Sequence, residues 1–332
     1  MSTETRILVT GGAGYIGSHT CKALARAGAQ PVAFDNLVFG HEHSVKWGPL
    51  VVGDVRDEAA LRRAIQEHRP EAVIHFAAFA FVGESMHNPA KYYDNNVVGT
   101  LTLLEAMRKE GVGRIVFSST CATYGVPAGL PIREDTPQLP VNPYGRTKLM
   151  IEQALEDYAA AHSVTFAALR YFNACGADPE GEIGEEHDPE THLIPRVIMA
   201  ALGDIAYLEI FGDDYDTPDG TCIRDYIHVD DLAQGHVQAL AHLTAGKGSL
   251  KVNLGTGNGF SVREIIAAVE RVAGRPVPLK TMPRRPGDPP ALFADISKAR
   301  RVLGFVPRFT DPEEIVRTAW NFELRRRDRR PA

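Results

Sequence analysis

Short apolar runs alternate with segments of helical spacing through the first half of the chain. The runs at residues 7–10, 32–35, 50–53, 72–76, 114–118 and 166–170 are rich in β-branched and aromatic residues. Between most of them lie stretches such as 58–67, 92–109 and 144–161, where apolar residues recur at helical intervals. Strands that are apolar almost throughout are buried on both faces, as in a parallel sheet covered by helices. Right-handed crossovers then predict an α/β fold built on a doubly wound parallel sheet.

From about Tyr171 the pattern loosens. Residues 177–191 and 212–221 are rich in Gly, Pro and Asp and have no periodicity. They are longer than simple connections need to be. This predicts a Rossmann-type dinucleotide-binding domain over residues 1–172. Residues 173–332 are expected to form a smaller substrate lobe, interleaved with elements that return to the main sheet. The arginine-rich run 325–330 reads as a solvated helix end.

Composition narrows the picture. A chain of 332 residues with 44% hydrophobic and 23% charged side chains can bury a sizeable core. A net charge of −6 argues against a nucleic-acid or membrane-surface partner, since both call for a basic face. Cys21, Cys121, Cys175 and Cys222 are widely spaced, with no CxxC pair. Neither a disulfide framework nor a structural zinc site is expected, and a reducing compartment is. No charged leader and no apolar run of bilayer length stands out, so the cytoplasm is the expected location.

Candidate chemistry starts at Gly11-Gly12-Ala13-Gly14-Tyr15-Ile16-Gly17, between the first strand and a helix expected over 18–27. Glycines there allow a tight turn, close approach of the backbone to a pyrophosphate, and close packing of helix on strand. Free N–H groups at the helix start then face the phosphates. Asp35 ends the second strand, where a carboxylate accepts from a ribose 2′-OH and repels a 2′-phosphate. NAD is therefore expected rather than NADP.

Tyr144 and Lys148 share one helix face. An ammonium near a phenol favours the phenolate, which would make Tyr144 a base near neutrality. Ser118-Ser119-Thr120 ends a strand, the edge at which a doubly wound fold places its site. Glu185-Glu186-His187-Asp188 and His192 could ligate a metal, but no helical HExxH supports them, and no metal is expected.

The glycine loop, the Ser-Ser-Thr strand end and Tyr144-Gly145-Arg146-Thr147-Lys148 together resemble the extended short-chain dehydrogenases. Gly83-Glu84-Ser85, Tyr93-Asp94-Asn95-Asn96-Val97, Arg170-Tyr171-Phe172-Asn173, Asp219-Gly220-Thr221 and Arg224-Asp225-Tyr226-Ile227-His228-Val229 narrow the resemblance to the UDP-glucose 4-epimerases, from about residue 6 to about residue 320. The resemblance implies an isomerase that inverts C4 of a UDP-sugar through a transient 4-keto sugar, with NAD retained. It makes Tyr144 the base, Lys148 its electrostatic partner and Thr120 the second hydroxyl. It lines NAD with Gly11, Gly14, Tyr15, Ile16, Gly17, Asp35, Asn36, Asp54, Val55, Phe76, Ala77, Asn95, Ser118 and Tyr171, besides Tyr144 and Lys148. It gives the UDP-sugar to Thr120, Asn173, His192, Leu193, Phe211, Arg224, Tyr226, Arg285, Asp288 and Leu292. It also implies a homodimer through the helices near 92–109 and 144–161.

Several residues bear on the branch. Ala80 stands where well-known members carry a lysine near the NAD phosphates. Leu292 is smaller than the Tyr of enzymes strict for glucose and galactose, which leaves N-acetylhexosamines open. Ser118-Ser119-Thr120-Cys121-Ala122-Thr123-Tyr124, with Ala80, also resembles the UDP-xylose/UDP-arabinose 4-epimerases. Cys121 and Ala122 cannot act as the added acid and base that dehydrating and decarboxylating relatives need. A catalytically dead NAD-binding protein is opposed by the intact Tyr144, Lys148 and Thr120.

Overall fold

The computed structural model describes residues 5–285 and 288–328. Its centre is a seven-stranded sheet, entirely parallel. The strands are β1 (Arg6–Thr10), β2 (Gln30–Asp35), β3 (Leu50–Val52), β4 (Ala72–His75), β5 (Arg114–Thr120) and β6 (Thr165–Tyr171), joined much later in the chain by β11 (Leu250–Leu254). Their spatial order is β3-β2-β1-β4-β5-β6-β11. That is the doubly wound order, with its reversal between β1 and β4.

Alternation along each strand supplies both faces of the sheet. Leu8 of β1 joins one core, with Leu61 of α2 (Glu58–His68), Leu103 of α5 (Gly99–Lys109) and Leu155 of α6 (Pro143–His162). Its neighbours Ile7 and Val9 turn the other way, toward Leu24 of α1 (Tyr15–Arg26), Leu232 of α8 (Val229–Thr244) and Phe305, which follows α10 (Ser297–Leu303).

The remaining elements form a second body of packing. Helices α7 (Leu193–Leu202), α9 (Val262–Ala273) and α11 (Pro312–Asp328) share a core with β8 (Leu208–Phe211) and β10 (Tyr226–His228). Short pairings complete it: β7 (Asn173–Cys175) with β10, β8 with β13 (Leu279–Met282), and β9 (Ile223–Arg224) between β12 (Phe260–Ser261) and β14 (Ala291–Leu292). Ser261 and Glu264 start α9 with a reciprocal capping box. No helix among the described residues is long and apolar enough to cross a membrane.

Two expectations need correction. The first helix starts at Tyr15, not residue 18, because Gly14 already takes the extended N-cap conformation. The stretch 92–109 is not one helix: α3 (Val82–His87) and α4 (Pro89–Tyr92) precede a wide turn over Tyr93–Val98, and only then does α5 begin. After Tyr171, α8 and β11 return to the main sheet. Of the 325–330 run, residues 325–328 end α11 and the last two lie outside the described residues.

Candidate active site

The carboxyl ends of the parallel strands carry the chemistry-bearing residues. Register sets Thr10 beside Phe34 on one side and His75 on the other, and Thr120 beside Tyr171. Asp35, Phe76, Ala77 and Ser118 therefore share this edge with the glycine turn. Gly11 has φ +73, and a Cβ there would lie 2.7 Å from the Ala77 nitrogen. A Cβ on Gly17 would come within 2.0 Å of the Gly11 carbonyl oxygen, so helix and turn pack as only glycine permits.

The turn fits a dinucleotide. No side chain caps α1, whose first N–H groups are left to a ligand, and a Cβ at Gly14 would meet only the Gly11 oxygen, at 3.3 Å. Asp35 is buried and accepts from the backbone N–H of Ala13 at 3.0 Å and of Leu37 at 2.8 Å. Two N–H bonds leave a carboxylate with capacity for ribose hydroxyls. Asn36 donates to Asp54 at 3.2 Å, and Arg56 forks onto the same carboxylate. Val55 belongs to the core, and Asn95 is buried and donates to Asn96. Tyr15 donates to the Gly176 carbonyl at 2.6 Å, which ties the glycine turn to the start of the second body.

Asn142 begins α6 by accepting from the Gly145 N–H at 2.8 Å, and Pro143 holds the first helical position. Tyr144 is thereby fixed in the first turn, and Lys148 lies one turn on. Lys148 donates to the Ser118 carbonyl at 2.8 Å and sits 5.9 Å from the centre of the Tyr144 ring. Ser118 and Tyr171 share a 2.6 Å hydroxyl bond. Thr120 accepts from the Ala122 N–H at 3.1 Å.

The electrostatics depart from the sequence expectation. Burial drives the Tyr144 phenol well above its ordinary value, and the charge of Tyr171 adds to it; the Thr120 hydroxyl pulls the other way. Burial also lowers Lys148 to about 7. The protein by itself thus holds the phenol protonated and an ammonium that parts readily with its proton. Loss of water is the largest influence on both groups.

The expected substrate residues fall into linked groups. Arg224 pairs with Asp288 at 2.5 Å and stands in register with Leu292. The Arg285 guanidinium stacks 3.8 Å above the Phe211 ring. Tyr226 and Asn173 are register partners. Leu193 opens α7, and His192 before it turns Nδ1 onto Glu185. Leu292 and Cys121 pack on one cluster that includes Tyr124 and Phe172, which links the catalytic strand end to this side.

The chain matches the NAD dependent epimerase/dehydratase family over residues 7–255. It belongs to that family. It is 53% identical to a UDP-glucose 4-epimerase from Rhizobium leguminosarum bv. trifolii, over 98% of this chain and 99% of the relative. The solved UDP-glucose 4-epimerase of Brucella ovis, in complex with NAD, superposes with a TM-score of 0.94 at 57% identity, over 96% of this chain and 98% of that one. The Bifidobacterium longum UDP-glucose 4-epimerase, in complex with NAD+ and UDP, gives 0.93 at 43% identity, over 98% and 99%.

Seen as an NAD-dependent epimerase, the fold shows supports that residue types alone did not reveal. Asn96 clamps the chain at Phe79, accepting from its N–H at 2.9 Å and donating to its carbonyl at 3.0 Å. Glu152 takes the Ser119 hydroxyl at 2.5 Å and the Arg170 guanidinium at 2.6 Å, all buried. Asp225, fully buried, accepts from the N–H groups of Thr256, Gly257 and Ala294 and from the Thr256 hydroxyl. Asn96 and Asp225 lie inside quoted motifs and Glu152 lies just after one, but their partners are distant in sequence and left no local signal.

Proposed function

We propose that this protein interconverts UDP-glucose and UDP-galactose by inverting the sugar at C4. The observation that carries the reading is the joint placement of Tyr144, Lys148 and Thr120 at the strand edge that also holds the glycine turn and Asp35. Gly11, Gly14 and Gly17 would pass the NAD pyrophosphate across the start of α1, with Asp35 on the adenosine ribose. Bound NAD would supply the acceptor and later the donor of the C4 hydride, and the positive charge of its oxidised form would favour the phenolate of Tyr144.

The protein's own groups handle the proton. As the phenolate, Tyr144 takes it from the 4-OH at its phenolic oxygen and returns it after the sugar has turned over. Lys148 supports the phenolate while charged, and Thr120 holds the same substrate oxygen. Arg224 and Arg285 fork onto the substrate pyrophosphate and Asp288 accepts from its ribose. A grip concentrated on UDP leaves the 4-keto sugar free to present its other face. Leu292 is smaller than the Tyr of enzymes strict for glucose and galactose, which leaves N-acetylhexosamines open as further substrates.

The decisive experiment incubates the purified protein, without added cofactor, with UDP-galactose, UDP-N-acetylgalactosamine and UDP-xylose in separate reactions. Chromatography should show the 4-epimer of UDP-galactose. No conversion of UDP-galactose, even after NAD is added, would overturn the assignment.

Two further proposals follow. A homodimer forms through α5 and α6, supported by the exposed apolar Leu101 and Met150 on these helices and Val98 just before α5. The protein works in the cytoplasm, an assignment that its four free cysteines suit.

A further inference from the structure

Two loops leave the main sheet on either side of the glycine turn. In the spatial order of the strands β1 lies between β2 and β4, so the segments after Asp35 and after His75 flank the end of β1, where the turn begins. The first segment is tied to the turn at both ends. Asp35 accepts from the Ala13 N–H at 3.0 Å, and the His41 N–H donates to the Ala13 carbonyl, also at 3.0 Å. The second is tied at its start, where the N–H groups of Phe76 and Ala77 donate to the Thr10 carbonyl at 2.9 and 3.2 Å.

Phenylalanines carried by these two loops meet. The Phe39 ring packs edge-on against Phe79, with 5.8 Å between centres and the planes 88° apart. It also packs against Phe81, at 5.3 Å and 76°. One loop follows β2 and the other β4, so this contact bridges the end of β1. Phe81 continues the row to His187 at 5.9 Å, and His187 stands edge-on to Tyr15 of the turn at 6.3 Å. The row of rings thus starts in the loop after β2 and ends on the turn itself.

The rings are held in place from outside. Asn96 clamps the Phe79 backbone, and the Tyr92 hydroxyl donates to the Phe81 carbonyl at 2.7 Å. Lys91 donates to Glu84 at 2.7 Å and sets its ammonium 4.1 Å from the centre of Phe79 and 5.9 Å from that of Phe39. Even so, Phe39, Phe79 and Phe81 are only half-buried, and Ala80 between two of them brings no charge to the turn. Rigid aromatic rings left partly wet beside a dinucleotide turn form a surface that a bound nucleotide can cover.

We propose that Phe39, Phe79 and Phe81 form an aromatic arch over the pyrophosphate of bound NAD and set how slowly the cofactor leaves. The inference rests on reading the glycine turn and Asp35 as the NAD site. A dinucleotide laid from Asp35 at the end of β2 toward Ser118 on β5 must cross the end of β1, the place that the rings span. Closed over it, the rings keep water from the bonds between the phosphates and the N–H groups at the start of α1, which strengthens those bonds. NAD then leaves only after Phe39 parts from Phe79 and Phe81. A cofactor that ends each turnover as it began has no need to leave, and the arch suits that use.

The test transfers the protein with its bound NAD into excess isotopically labelled NAD and follows uptake of label into the protein. Phe39→Ala and Phe81→Ala should each speed the exchange at least about tenfold. Met86→Ala, which alters an exposed side chain on α3 beyond the arch, should leave the rate unchanged. Exchange at the unaltered rate in both phenylalanine variants overturns the arch and leaves the cofactor site standing. An unaltered protein that carries no NAD and takes none up overturns the site and the arch together. Should the alanine variants fail to fold, Phe39→Leu and Phe81→Leu decide, since they keep apolar bulk but lose the ring edges. Faster exchange in these supports the arch, and an unaltered rate removes it.

Discussion

Lys148 holds its ammonium on the Ser118 carbonyl, 2.8 Å away, while lying 5.9 Å from the centre of the Tyr144 ring. The lysine is thus anchored to the strand end and makes no hydrogen bond to the phenol among the described residues. Both groups are buried, and burial is the largest influence on each.

Tyr144→Phe removes only a hydroxyl from a ring that α6 already positions. Turnover of UDP-galactose should fall by about a hundredfold to ten-thousandfold, the range for loss of a general acid–base group. NAD released on denaturation should remain near the level of the unaltered protein. Substantial residual epimerisation would show that another group moves the proton.

The depressed Lys148 value carries a pH signature in NAD-free protein. The unfolded lysine titrates at its ordinary 10.5 and the folded one at about 7. Between these values the unfolded chain binds the extra proton, so stability from this group rises with pH across the window. The slope is at most about 1.4 kcal/mol per pH unit. Lys148→Met should flatten that rise in urea unfolding followed from about pH 7 to about pH 10. Identical pH dependence in both proteins would refute the depressed value.

Arg170 and Glu152 form a buried pair with side chains 2% and 0% exposed. Arg170→Met leaves the carboxylate buried without its partner and should cost about 3–5 kcal/mol in denaturant unfolding. Adding Glu152→Leu should recover part of that loss, since no lone charge then remains. A double variant as unstable as the sum of the two single changes would mean that the pair is not the cause.

Leu292→Tyr should selectively suppress any activity on UDP-N-acetylgalactosamine by filling the space that an acetamido group needs. The measurement is the ratio of kcat/KM for that substrate to kcat/KM for UDP-galactose. An unchanged ratio would place Leu292 away from the sugar.

The main sheet was legible because its strands are short, apolar and set apart by helical spacing. Their ends were less so: β5 runs through Thr120 rather than stopping at Ser118, which puts Thr120 on the strand itself. The helical spacing through 92–109 hid the wide turn over Tyr93–Val98, where Asn96 is held by the distant Phe79 backbone. The glycine turn, Tyr144 and Lys148 were legible from type and spacing. The balance of their electrostatics was not, because burial is a property of the packed protein. Asp225 stood inside a quoted motif, but its partners Thr256, Gly257 and Ala294 come together only on folding.

The seventh strand of the central sheet arrives after the chain has already built much of its second body. A fragment stopping at residue 172 would leave the apolar strand β6 with a row of bare amide and carbonyl groups, an invitation to pair with another chain. Lobe exchange between relatives is closed to this architecture as a route to new preferences. Changes in the second body then come one side chain at a time, with the first half of the sheet always in place.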